Sequence, residues 1–233
     1  MAPVSLSLSN VIRNPNNMNL YFISGLGADK RVFQKLEIPE PFIIHHVEWV
    51  PVQPEDSLPQ YCSRLIEQLN LNEPFILVGL SFGGIVAIEL SKKVRPQQTV
   101  LISSIASPQE VGKLYSLLGK LELQKIIPLR FFLKPSRVIY RLFGAHTKEE
   151  KNLLENILLD TDPAFFRWAM DRTFSWKNEW KPGRLLHIHG TSDKILPYNK
   201  NMQAIKVKGG EHLMVYSRAK EISRLLLEHL MKK

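Results

Sequence analysis

The chain has 233 residues, 44% of them apolar and 23% charged, the composition of an ordinary soluble globule built as one domain or a domain with an insertion. That excludes wholesale disorder, a coiled coil and a collagen-like chain, and the single cysteine, Cys62, excludes an intramolecular disulfide or a Cys-x-x-Cys zinc or redox motif. The net charge is +9, but the positives are dispersed and no recognition motif accompanies them, so a solvated basic surface is expected and a nucleic-acid partner is not.

Residues 1–17, rich in Ser and Asn, read as an N-terminal arm or an edge strand around Ser5–Ile12. No basic stretch followed by an apolar core marks a signal peptide. No run approaches 18 apolar residues. With one cysteine, the expectation is a cytoplasmic protein without membrane insertion. The apolar runs 19–25 and 41–49 follow, then a helical pattern over 57–70 with Leu58, Tyr61, Leu65 and Leu69 three and four apart. A third apolar run, 74–81, leads into a second helix over 82–94, in which Glu89, Lys92 and Lys93 are expected to face water. A fourth run spans 98–104, and 185–190 and 203–209 complete the set before a helical stripe over 213–232. Short continuous apolar runs suit parallel strands buried on both faces, and their alternation with helices predicts βαβ units in an α/β domain.

The stretch 108–177 breaks this rhythm. It carries helical patterns around 110–126, 134–143, 148–159 and 163–170 and no clear strand. It is too long for an ordinary connection, which predicts a helical insertion over the strand ends. The expected organisation is arm (1–17), first part of the core (18–107), helical cap (108–177) and second part of the core (178–233).

The sharpest motif is Gly79-Leu80-Ser81-Phe82-Gly83, set between a strand and a helix. Gly-x-Ser-x-Gly in that context predicts a strained turn that lifts the serine hydroxyl above the sheet, with glycines where a Cβ would collide. The free N–H of Phe82 then opens the helix where negative charge on oxygen is best accommodated. A serine nucleophile needs a base, and a histidine base needs a carboxylate to fix its tautomer. Asp193 follows the strand 185–190, and His212 follows the strand 203–209. Both therefore fall at strand carboxyl ends, in the chain order Ser, Asp, His.

Of the other histidines, His45 and His46 lie in a strand, and His146 and His229 are placed on helices. His187 and His189 share one strand face, a spacing open to a metal but with no third ligand, so no metal is expected. Gly25-Leu26-Gly27-Ala28-Asp29 follows the first apolar run. Position 30 is lysine, where a dinucleotide fingerprint needs glycine, and there is no Walker A loop. The loop is read instead as an oxyanion site: the Leu26 and Phe82 N–H groups as donors, Gly25, Gly27, Gly79 and Gly83 as structural glycines, and Asp29 as a helix cap. No cofactor is expected.

In Ser24-Gly25-Leu26-Gly27, Gly79-Leu80-Ser81-Phe82-Gly83-Gly84, Gly190-Thr191-Ser192-Asp193 and Gly210-Glu211-His212 the chain resembles the α/β-hydrolase superfamily, specifically compact serine hydrolases with a helical cap. The resemblance spans most of 18–232 and implies Ser81 as nucleophile, Asp193 as orienting acid and His212 as base. Many relatives have His-Gly where this chain has Ser24-Gly25. The N-terminal region is too short for the family's usual first two strands, leaving about six, and the helix between the last two strands is expected to shrink to a turn near Pro197–Lys200. The implied activity is hydrolysis of a carboxylic ester or related acyl compound, with an apolar group, through an acyl-enzyme. The partner is then a small-molecule acyl substrate. A lyase or acyltransferase on the same fold, or a non-catalytic ligand-binding protein retaining a triad-like pocket, are the alternatives. The seven basic residues between Lys113 and Arg141 fit either an anionic substrate group or a solvated face.

Overall fold

The computed structural model describes residues 17–53, 55–111 and 130–231. Its frame is one parallel sheet of six strands in the order β2-β1-β3-β4-β5-β6. The strands are β1 (Met18–Ile23), β2 (Phe42–Val47), β3 (Phe75–Leu80), β4 (Gln98–Ile102), β5 (Leu185–Gly190) and β6 (Ile205–Val207). Each coincides with an apolar run predicted as a strand, β1 starting one residue before its run of 19–25. Because every pairing is parallel, all six carboxyl ends lie along one edge of the sheet. The strand order reverses at β1, which has β2 on one side and β3 on the other, and such a reversal opens a crevice above the sheet.

Successive residues of a strand face opposite sides, and two buried clusters result. Tyr21, Ile23, Leu77 and Leu101 belong to one, with helices α1 (Leu58–Leu65) and α2 (Phe82–Ser91). Leu20, Phe22, Ile76 and Ile102 belong to the other, with α7 (Met214–Ser217) and α8 (Ala219–Leu230). The stripe over 213–232 was expected as one helix. It breaks at Arg218, whose guanidinium turns to donate to the Lys208 carbonyl (2.8 Å). No helix separates β5 from β6; turns fill that interval, as expected.

Between β4 and β5 come only helices among the described residues: α3 (Arg130–Leu133), α4 (Arg137–Phe143), α5 (Lys148–Asp160) and α6 (Pro163–Ser175). Thr147 and Glu150 close a capping box at the start of α5, and Asp162 with Pro163 starts α6. The two longest helices diverge. Leu153, Leu154, Ile157 and Leu158 of α5 enter one core cluster, whereas Phe165, Trp168 and Ala169 of α6 enter the other. The insertion therefore straddles the sheet, crossing its edge at Thr161 and Asp162. His146 lies in the α4–α5 connection and not on a helix, because Gly144 ends α4 in the left-handed conformation (φ 76°). The arm 1–16 and most of the helical pattern 110–126 lie outside the described residues.

Glu89 was expected in water but is only 4% exposed. The insertion covers it: just beyond α6, the Trp176 indole N–H donates to Glu89 Oε1 (2.8 Å), and Lys92 pairs with the same carboxylate. Removing one donor from a buried carboxylate costs about 1–3 kcal/mol. Trp176→Phe, which keeps most of the ring and deletes the N–H, is thus expected to lower the denaturation midpoint by that much free energy. An unchanged midpoint would show the bond to be energetically idle.

Candidate active site

Ser81 ends β3 and caps α2 with φ 52° and ψ −121°, a left-handed backbone that a serine adopts only under constraint. Its neighbours impose it. Ser81 N–H donates to the Ile102 carbonyl (3.0 Å), and its own carbonyl accepts from Gly84 N–H (2.9 Å) and Ser104 Oγ–H (2.6 Å). The flanking glycines are close-approach positions. A Cβ on Gly83 would lie 2.2 Å from the Ile23 and Ser24 carbonyl oxygens, and one on Gly79 would lie 2.3 Å from the Gly83 carbonyl. The start of α2 is therefore pressed directly onto the end of β1.

Ser81, His212 and Asp193 come together in one hydrogen-bonded series. His212 Nε2 is 3.0 Å from Ser81 Oγ, and its Nδ1 is 2.8 Å from Asp193 Oδ2. The other Asp193 oxygen accepts from the Ile195 and Leu196 N–H groups, each at 2.9 Å. Asp193 and His212 are buried, while Ser81 is half-buried. Burial by itself would raise the Asp193 carboxyl, but the charge and hydrogen bond of His212, with the Leu196 N–H, outweigh it and hold the carboxyl below the usual aspartate range. Asp193 Oδ2 accepts from His212 Nδ1–H, and in the neutral imidazole that tautomer leaves Nε2 as acceptor toward the serine hydroxyl.

The loop after β1 is a tight turn, closed by Ala28 N–H donating to the Gly25 carbonyl (3.0 Å). Leu26 and Gly27 are its central residues, and Gly27 has φ +70°, as a type II turn demands. Gly25 faces Ser81: a Cβ there would touch Ser81 Cβ at 3.4 Å. Asp29 caps the short helical turn Lys30–Phe33, accepting from Arg31 N–H (2.9 Å). The insertion sits on this loop, with the Thr161 hydroxyl 3.0 Å from the Gly27 carbonyl and 2.7 Å from that of Ile157.

The insertion also meets the histidine loop. The Phe143 ring stands edge-on to His212 (centroids 5.6 Å apart), and Leu213 N–H donates to the Phe143 carbonyl (2.9 Å). Glu211 does not reach round to the imidazole; it pairs with Lys194 and His146, tying the acid loop, the histidine loop and the insertion together.

His187 and His189 form a buried ladder behind the acid. His187 Nε2 donates to the Ser104 carbonyl (3.0 Å), and His189 Nε2 to that of Leu196 (2.7 Å). Each Nε2 is thus occupied by a backbone carbonyl, while His189 Nδ1 lies 3.3 Å from His187 Nε2, and among the described residues no group of three side chains is placed to hold a metal ion. Residues that escaped the sequence reading include Trp49, Thr161 and the Ser104 hydroxyl. Only Trp49 and Ser104 carried a signal, since each closes a predicted apolar run, 41–49 and 98–104.

No family model matches the sequence, and neither does any curated protein. Solved structures do. MenH from S. aureus superposes with a TM-score of 0.69 at 14% identity, over 92% of this chain and 93% of that one. A hydrolase from Oleispira antarctica gives 0.68 at 15% identity, over 94% and 92%. A thermophilic esterase from Thermogutta terrifontis gives 0.66 at 15%, over 92% and 89%. At such identities the likeness is one of fold. The chain has the α/β-hydrolase fold, with a helical cap inserted before β5.

The histidine ladder makes stability depend on pH. Burial pushes His187 down to about 4 from an ordinary 6.5, with the neighbouring His189 adding to the shift, and burial also lowers His189. The unfolded chain therefore binds more protons between those values, so the stabilisation is complete above 6.5 and is lost as pH falls toward about 4. Asp193 adds a loss at lower pH, through its own depressed pKa. The denaturation midpoint should fall steadily across this window. His187→Gln, which cannot titrate, should flatten the decline; equal slopes would remove His187 as its source.

Proposed function

We propose that this protein is a serine hydrolase acting on a carboxylic ester or related acyl compound. The observation that carries the reading is the unbroken series Ser81–His212–Asp193, at 3.0 and 2.8 Å, at the carboxyl edge of the sheet. His212 Nε2 takes the Ser81 proton as Oγ attacks the substrate carbonyl carbon, and the Nδ1–H bond to Asp193 stabilises the resulting imidazolium. The N–H groups of Leu26 and Phe82 receive the oxyanion. The imidazolium then protonates the leaving group, and water activated by the same nitrogen releases the acid. The reaction needs no cofactor.

The body of the enzyme in this reading is 18–107 with 178–233, and 108–177 is the cap. An apolar substrate group is favoured by the aromatic cluster into which Phe82, the residue after Ser81, packs. Phe82 has Phe165 and Trp168 of α6 at 6.4 and 6.2 Å between centroids, and the partly exposed Trp49 at 5.7 Å. The names carried by two structural neighbours, an esterase and a hydrolase, agree with it.

Intact mass after incubation with a fluorophosphonate tests the proposal. Wild type should gain one adduct through a Ser81 Oγ–P bond with loss of fluoride. Ser81→Ala should gain none, and His212→Ala should react far more slowly. Asp193→Asn, which holds the wrong tautomer, should lose about 10³–10⁴-fold in rate while still folding. Folded wild-type protein that stays unmodified, by this probe and by p-nitrophenyl acetate, would overturn the proposal in favour of a ligand-binding pocket.

A further inference from the structure

The two proposed oxyanion donors come from different parts of the chain. Leu26 belongs to the turn after β1, whereas Phe82 opens α2. Two N–H groups stabilise one oxygen only if their separation is fixed to a fraction of an ångström, so something must hold turn and helix at a set distance. The glycine contacts press their backbones together but leave the outgoing limb of the turn to be fixed.

That limb ends at the Ala28 carbonyl, and two donors converge on it. Ser24 Oγ–H lies at 2.6 Å and the Trp49 indole N–H at 2.9 Å. A carbonyl oxygen has two lone pairs, and both are used. Ser24 is 3% exposed and makes no other hydrogen bond through its side chain among those described. Trp49 arrives from the loop after β2, the strand beside β1. Its ring then touches the other half of the site: the Phe82 ring is 5.7 Å away and that of Phe165, from the cap, 5.1 Å. One side chain thus grips the turn through its N–H and the start of α2 through its ring face.

Resting on the reading of Ser81 as nucleophile, we infer that Trp49, with Ser24, is a positioning residue that sets the distance between the Leu26 and Phe82 N–H donors. Trp49 touches no reacting atom. It acts through the turn, by holding the Ala28 carbonyl. Since Phe165 packs on the same ring, the cap helps to fix the oxyanion site.

The test uses Trp49→Phe, which keeps an aromatic ring and removes the N–H, Ser24→Ala, and the double variant. Three quantities are followed: the fluorophosphonate reaction rate at Ser81, kcat and KM for p-nitrophenyl acetate, and the denaturation midpoint. A site loosened by part of an ångström loses about tenfold in rate. Each single variant should show that loss in kcat and in phosphonylation, with KM within about twofold. Because both donors serve one carbonyl, the double variant should lose more than the product of the singles. A lowered midpoint with unchanged kcat would overturn the inference and leave Trp49 and Ser24 as packing residues. So would strictly multiplicative losses. Unreactive wild type would instead strike the serine-hydrolase reading, and this inference would fall with it.

Discussion

The backbone of Ser81 is the constraint from which the rest of the site follows. A serine at φ 52° costs about 1–3 kcal/mol and persists only where its surroundings over-determine it. Here β4 holds its N–H, Ser104 and Gly84 hold its carbonyl, and two glycines let β3, α2 and β1 meet backbone to backbone. The result is a hydroxyl raised at the point where strand order reverses. There the turn after β1 stands on one side, and His212 arrives from the loop after β6. If that backbone relaxed, the hydroxyl would leave both the imidazole and the turn.

The charge in the site is concentrated with equal economy. Asp193 sits in the interior with every oxygen committed, one to His212 and one to two backbone N–H groups. The two imidazoles nearest to it on β5 are kept neutral by burial and point their protons at backbone carbonyls. They satisfy the polar backbone around the acid, and His212 is left as the one side chain among those described that hydrogen-bonds to the carboxylate. His189 Nε2 lies 3.8 Å from Asp193 Oδ2, too long for a hydrogen bond, while its bond to Leu196 steadies the turn that feeds N–H groups to the acid.

Much of this was legible in the sequence because it rests on local chemistry. All six strands announced themselves as apolar runs, although β2, at the sheet edge, is not buried on both faces as that pattern implies: Ile43 and Ile44 are exposed. The strained turn at Ser81 carries its glycines with it, and Asp193 and His212 each follow a strand. What escaped was tertiary. The burial of Glu89 depends on Trp176, 87 residues away, and helical periodicity assigns a charge to solvent unless something distant covers it. The break at Arg218 depends on a carbonyl in the preceding loop. Trp49 reads as one more aromatic after a strand until the fold brings Ala28 under its indole. Ser24 reads as a small polar residue at the end of an apolar run, and its bond to the Ala28 carbonyl appears only in the folded turn.

The straddling insertion has a consequence for how this chain can be altered by recombination. A lid joined to its enzyme at a narrow neck behaves as cargo and can be exchanged for another of different size. Here α5 supplies Leu153, Leu154, Ile157 and Leu158 to one side of the sheet, and α6 supplies Phe165, Trp168 and Ala169 to the other. Excising these helices would open both halves of the interior to water at once, and a foreign segment would have to match two unrelated surfaces simultaneously. This scaffold should therefore tolerate point changes on the cap far better than exchange of the whole cap.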